Sequence, residues 1–328
     1  MCATVNLEQV DELLLVLNAK EVAAALPYDQ LINALAAAFA GDCEVPLRAH
    51  HEIPVPDGNS GKLLLMPAWR SGRSIGVKIV TVFPDNAEQG IPAVFGSYIL
   101  MSAETGVPVA FLDGTEVTLR RTAAASALAS TYLSRSDSTR LLMVGTGNLA
   151  PHLIAAHATT RPITDICIWG RREEAATMLA DSLAGSSYSV SVSTDLEQAI
   201  SKADIVTCAT LSMDPLIMGA WLRAGQHLDL VGAFSPQMRE ADSEAVVRAD
   251  VYVDTRGGAF SEAGEIVQTI AEGSITESDI CGELRDLVTG SSPGRTSDES
   301  ITLFKSVGTA LEDLAAAELA LKNHLPDD

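Results

Sequence analysis

The sequence predicts an α/β protein: a doubly wound parallel sheet accompanied by a second, α+β unit. Three observations carry this. From Thr139 onward, short β-rich runs alternate with helical stretches. Those runs lack an alternating polar face, as expected of strands covered on both sides. The residues before them read differently, as a helical region followed by β-like segments joined by turns rich in Gly, Pro and Asn.

The β-rich runs are Arg140–Gly145, Asp165–Trp169, Tyr188–Val192, Asp204–Ala209, His227–Val231 and Asp250–Val253. Between them EEAATMLADSLAG and LEQAISKA repeat apolar residues every three or four positions, the helical period. Six such strands match the size of a complete dinucleotide-binding domain. In the earlier unit the β-like segments are KLLLMPAW, IGVKIVTVF and VFGSYILMS. The alanine-rich EVTLRRTAAASALASTYL predicts the helix that joins the units. The tail SITLFKSVGTALEDLAAAELALKNHL is strongly helical and is expected to fold back on the first unit. The predicted boundaries are residues 1–125, 126–300 and 301–328.

Composition narrows the function classes. The chain has 328 residues, 22 Lys+Arg against 43 Asp+Glu and a formal net charge of -21. Such a balance excludes bulk attraction to nucleic acid or an anionic membrane. The five cysteines (Cys2, Cys43, Cys167, Cys208, Cys281) are scattered without a CxxC pair, which points to reduced thiols in a cytoplasmic protein. Glu8, Asp11 and Glu12 flank the first apolar run, unlike a secretory signal, and no apolar run reaches the ~18 residues of a membrane span. No grouping has metal-ligand spacing, so no metal is expected.

The first nucleotide-domain strand runs into Gly145, Thr146, Gly147, Asn148, Leu149 and Ala150, a GxGxxA pattern, and a helix follows. Glycines there permit a tight turn and let backbone N–H groups approach a pyrophosphate at the helix's positive end. A glycine turn before a helix is also ordinary chain geometry. Its place at the first strand-to-helix crossing of a βαβ series favours the dinucleotide.

The second strand bears on which one. A site for NAD commonly ends this strand with an acidic residue for the ribose 2′-hydroxyl. Here it ends Trp169, Gly170, Arg171, Arg172. Two guanidinium groups suit a 2′-phosphate, although arginines can also simply open a solvated helix face. NADPH is the expected cofactor, with NADH as an acceptable second. Thr210, directly after the fourth strand, is assigned to the same cofactor.

The segments VPLR (Val45–Arg48), LLLMPAW, GVKIVTVFPDN, RRTAAASALA, GTGNLA, LVGAFSPQMRE and LFKSVGTALEDLAAA occur in one order along almost the whole chain. Together they resemble the ornithine cyclodeaminase/μ-crystallin family. The resemblance implies a Rossmann domain inserted in a substrate and dimerisation domain, an active site in the cleft between them, and a homodimer. It implies that Arg48, Lys78 and Arg121 hold an amino-acid or imino-acid carboxylate. Paired cations are what a buried carboxylate needs. It also implies that Ser306 and Val307 line the nicotinamide side, and Thr122 is a candidate phosphate ligand at the start of its helix.

Two positions depart from the family's deaminases. Where these carry an acid/base aspartate after the VGA turn, this chain has Phe234, and a phenyl ring moves no proton. Gly170 occupies the position of their NAD-selecting aspartate. Both changes point towards the family's ketimine reductases, with reduction of Δ1-pyrroline-2-carboxylate to proline and of Δ1-piperideine-2-carboxylate to pipecolate. Phe234 would form an apolar wall for the substrate ring. An alanine-type amino-acid dehydrogenase, an ornithine cyclodeaminase and a non-catalytic NADPH-bound binding protein are the alternatives. The proton donor is open among the imine's own basicity, Asp85, Asn86, a water and Lys78.

Four further features have plain structural readings. His50 and His51 read as a solvated loop pair, and Cys43 as an idle thiol. Asp113 and Glu116 read as the opening of the joining helix. The cluster Arg239, Glu240, Asp242 reads as a cap after the fifth strand.

Overall fold

The computed structural model describes residues 14–56 and 58–324. The amino-terminal run with Cys2, Glu8, Asp11 and Glu12 lies outside the described residues. Contacts divide the chain into two compact units, one up to Arg121 and again from Ala310 onward, the other Thr122–Thr309.

The first unit is a six-stranded sheet of β1 (Leu15–Leu17), β2 (Ala49–Ile53), β3 (Gly61–Arg70), β4 (Ser74–Val82), β5 (Val94–Ser102) and β6 (Pro108–Asp113), in the order β1-β6-β5-β4-β3-β2. Every pairing is antiparallel except β1 with β6. Alternation sends Leu17, Met66, Ala68, Tyr98, Leu100, Ala110 and Leu112 inward, where they are buried. The helices Ala19–Ala25, Tyr28–Ala40 and Ala310–His324 belong to this unit, and Leu31, Leu35 and Leu314 are buried in it. Asn18 caps the first of them in a capping box with Glu21.

The three long strands follow the sequence reading. Strands β1 and β2 were not foreseen in it, being short or polar, nor was β6, whose apolar run PVAFLD leads directly into the joining helix. His50 and His51 are exposed strand residues of the edge strand β2 rather than loop residues.

The second unit is an eight-stranded, wholly parallel sheet. Its strands are β7 (Arg140–Val144), β8 (Asp165–Trp169), β9 (Ser189–Val192), β10 (Ile205–Cys208), β11 (His227–Leu230), β12 (Asp250–Val253), β13 (Ile280–Glu283) and β14 (Thr302–Lys305), in the order β13-β12-β14-β11-β10-β7-β8-β9. All residues of β10, β11 and β14 are buried, which is why these runs show no polar alternation. The chain runs β7-β8-β9 outward on one side and returns from β10 on the other, so the switch point lies between β7 and β10.

Two strands escape the sequence reading. β13 is four residues with a glycine, and β14 replaces what reads as the beginning of the returning tail. Residues 302–305 thus belong to the nucleotide-type sheet, and the returning helix begins at Ala310 rather than near 301. The joining helix runs Gly114–Leu133 and crosses from one unit to the other at Arg121/Thr122, close to the expected 125/126 boundary. Among the described residues no single helix is long and apolar enough to cross a membrane.

Candidate functional site

In the first unit a cluster of buried charges forms where β4, the joining helix and the C-terminal helix meet. Lys78 lies on the inward face of β4, and only 2% of it is exposed. Its Nζ donates to Asp313 Oδ1 at 2.9 Å and stands 2.7 Å from Asp313 Oδ2. Arg121 donates from Nε to the same Asp313 Oδ1 at 2.9 Å and from Nη1 to Glu312 Oε2 at 2.6 Å. Both acids open the C-terminal helix and are fully buried. Arg48 is half-buried in the segment before β2, near enough for its charge to act on Lys78.

This environment sets the chemistry of Lys78. Burial pushes its pKa down, the charges of Arg121 and Arg48 push in the same direction, and Asp313 holds it up. The result is about 8, against an ordinary 10.5. An ammonium group so weakened can bind an anion and release a proton near neutral pH. The structure therefore brings together the three cations named from sequence. It adds Glu312 and Asp313, which sequence reasoning missed. Their only signal was a pair of adjacent acids in TALEDLAAAELAL, indistinguishable from a solvated helix face until the helix is seen to be buried.

Asp85 and Asn86 are otherwise engaged. Asp85 accepts from Asn59 N and Asn59 Nδ2, each at 2.7 Å, and these bonds hold its pKa below the usual carboxylate value. Asn86 donates to Pro92 O at 3.0 Å. Cys43 is half-buried with its pKa raised by burial, in keeping with an idle thiol.

In the second unit the loop after β7 has the geometry its glycines suggest. Gly145 has φ +118°, and a Cβ there would stand 2.5 Å from Ala209 O. Its N–H donates to Trp169 O at 2.9 Å, which fixes the loop to the end of β8. Gly147 and Asn148 are exposed, and a Cβ on Gly147 would meet nothing within 4 Å. Leu149 is the N-cap residue of the helix Ala150–Thr160. Thr146 and Gly170 are neighbours, since a Cβ at Gly170 would lie 2.7 Å from Thr146 Cγ2. Arg171 and Arg172 follow at once, and both are exposed. This open glycine turn with two cations beside it fits a phosphorylated dinucleotide: Gly145 to Leu149 would hold the pyrophosphate and Arg171 with Arg172 a 2′-phosphate.

Three cofactor assignments change character. Thr122 lies inside the helix Gly114–Leu133 and is buried, not at a helix start. The Thr210 hydroxyl donates to Glu240 Oε1 at 2.8 Å, and the Ser306 hydroxyl to Asp254 Oδ2 at 3.1 Å. Both hydroxyls are thus committed to the protein's own carboxylates. Val307 is half-buried and Phe234 is 53% exposed.

The cluster after β11 also divides. Asp242 caps the helix Ser243–Arg248, as a cap reading expects, and Arg239 pairs with Glu272 at 2.9 Å. Glu240 instead turns inward and binds the ends of β10 and β11, a role that nothing in the linear sequence signals.

The family model for the ornithine cyclodeaminase/mu-crystallin family matches residues 13–326. The chain belongs to that family. The Δ1-pyrroline-2-carboxylate reductase of Colwellia psychrerythraea is 39% identical over 306 residues, covering 92% of this chain and 96% of its own. The solved structure of the Thermococcus litoralis Δ1-pyrroline-2-carboxylate reductase in complex with NADH and L-proline superposes with a TM-score of 0.88 at 33% identity, over 94% of this chain and 97% of that one. An archaeal alanine dehydrogenase dimer with bound NAD follows with a TM-score of 0.87 at 32% identity, over 94% and 95%. The mixed α/β architecture of this chain is therefore the architecture of the ornithine cyclodeaminase/mu-crystallin family.

Proposed function

We propose that this protein is a nicotinamide-dependent oxidoreductase that reduces the C=N bond of cyclic ketimines, converting Δ1-pyrroline-2-carboxylate to proline and Δ1-piperideine-2-carboxylate to pipecolate, with preference for NADPH. The observation that carries this is the convergence of Arg48 and Arg121 on a lysine whose pKa has fallen to about 8. Such a set binds a carboxylate and also holds a proton that can be given up.

The chain's own residues divide the work. Arg121 is held at a fixed orientation by Glu312 and Asp313, so its guanidinium is in place before binding without further loss of side-chain entropy. Arg48 and Lys78 add charge against a substrate carboxylate. The Lys78 ammonium is the donor for the ring nitrogen, and Asp313 holds its Nζ in place. Phe234 offers an apolar surface and no exchangeable proton, which disfavours deamination. The bound dinucleotide supplies the hydride. Arg171 and Arg172 support NADPH. Relatives crystallised with NADH or NAD make NADH an acceptable second cofactor.

A homodimer is part of the proposal. The outward face of the first unit's sheet carries Leu63, Leu65, Val77, Ile79 and Ile99, partly exposed, with Val16, Phe95 and Phe111 more open still. A continuous apolar sheet face of this kind fits a partner sheet.

The test is to follow NADPH and NADH oxidation with each cyclic imine and with pyruvate plus ammonia, and in parallel ammonia release from ornithine with NAD. Oxidation with the imines is expected. Failure with both imines would sink the reading, turnover only with pyruvate would favour a dehydrogenase, and proline from ornithine a deaminase.

A further inference from the structure

The amides at the carboxyl ends of three strands of the parallel sheet are occupied by the protein's own buried carboxylates. Glu240, with no exposure, accepts from Thr210 N at 2.6 Å and Thr210 Oγ1 at 2.8 Å through Oε1. Its Oε2 accepts from Gly232 N at 2.7 Å and Ala233 N at 3.3 Å. One side chain thus joins the residues after β10 to those after β11. A Cβ on Gly232 would collide with the Thr210 backbone, so the two strand ends are also in direct contact.

The brace is itself supported from below. Glu240 N donates to Glu265 Oε1 at 2.7 Å, and Lys305 Nζ, at the end of β14, lies 3.3 Å from Glu265 Oε2, both side chains fully buried. Beyond β14, Asp254 Oδ2 accepts from Ser306 Oγ at 3.1 Å, Val307 N at 2.8 Å and Gly308 N at 2.6 Å. Burying carboxylates is costly, and apolar packing would serve stability as well. What the carboxylates add is fixed geometry, and among the described residues they do so on the β10, β11 and β14 side of the switch point. On the other side, Gly147 and Asn148 are left exposed.

We propose that Glu240 is a positioning residue for the nicotinamide half of the dinucleotide. It sets Thr210 and Gly232–Phe234 in place before the ligand arrives, leaving the adenosine half to Gly145–Asn148, Arg171 and Arg172. A dinucleotide lying across the switch point with its 2′-phosphate at β8 extends its other half towards these braced ends. The inference rests on the dinucleotide reading given under Proposed function.

Calorimetric titration of the full chain separates the two. The probes are NADPH and 2′-phospho-ADP-ribose, which lacks the nicotinamide. Glu240→Gln keeps the shape but turns an amide NH2 towards N–H donors. It is expected to weaken NADPH on the order of tenfold and the fragment by less than about twofold. Equal losses, or none, overturn the assignment while leaving dinucleotide binding intact. A wild-type chain that binds neither probe overturns the dinucleotide reading and this assignment with it. Hydrogen exchange on the ligand-free wild type tests the brace without a variant. The amides of Thr210, Gly232 and Ala233 are expected to be protected and those of Gly147 and Asn148 to exchange fast. Equal rates overturn the proposal.

Discussion

Lys78 and Asp313, 235 residues apart in the sequence, meet with Nζ 2.7 Å from Oδ2, and neither side chain is open to solvent. Asp313 also receives Arg121, so one carboxylate fixes a strand and a helix of the same unit.

Asp313→Asn removes the anion that Lys78 and Arg121 share, both of them buried. Breaking a buried ion pair on one side costs about 3–5 kcal/mol. Urea unfolding is expected to show a loss of that size. A loss below about 1 kcal/mol, the range of surface pairs, would mean that solvent reaches the cluster.

The pH profile follows from Lys78. Its pKa is lowered to about 8, so the ammonium form, which both binds the carboxylate and donates the proton, is lost as pH rises through that value. With a ketimine substrate, kcat/KM is expected to fall above pH 8 with the slope of one proton. Arg48→Gln removes one of the charges that depress the pKa, so the limb should move to higher pH even as kcat/KM drops. A limb that stays in place would assign it to another group.

Arg171→Ala is expected to lower the NADPH/NADH ratio of kcat/KM on the order of tenfold, the worth of one or two charge-assisted bonds to a 2′-phosphate. Because Arg171 is exposed, Tm should hardly change. An unchanged ratio would leave the arginine as a solvated helix start.

Gly76 and Tyr98 make a steric prediction. A Cβ at Gly76 would run into the Tyr98 ring and hydroxyl, and that hydroxyl is buried with no hydrogen-bond partner among the described residues. Gly76→Ala is expected to cost about 1–3 kcal/mol by overpacking. Tyr98→Phe is expected to leave stability unchanged or slightly raised, since no protein bond is lost. Thermal unfolding of both variants checks the pair, and a large loss in Tyr98→Phe would reveal a hidden partner.

The central features were legible in the sequence because each rests on a local pattern. Strands without polar alternation are buried strands, and β7, β8, β10, β11 and β12 lie within about one residue of their expected ends. Gly145 announces its own turn because positive φ is nearly a glycine property. The missed strands carry weaker local signals, since β13 contains a glycine and β14 opens a segment with a strong helical period, and both are held by long-range parallel pairing.

The sequence by itself determined the family, the parallel sheet, the phosphate-type loop and the three cations, because motif order and hydrophobic period are properties of the chain. Only the tertiary structure decided which charges face each other. Glu312, Asp313, Glu240 and Asp254 look like surface acids in a chain of net charge -21, yet all four are buried and bonded. The reason is physical. Desolvation and pairing depend on neighbours elsewhere in the chain, from 8 residues away for Glu240 to 235 for Asp313, and a carboxylate carries no local mark of having lost its water.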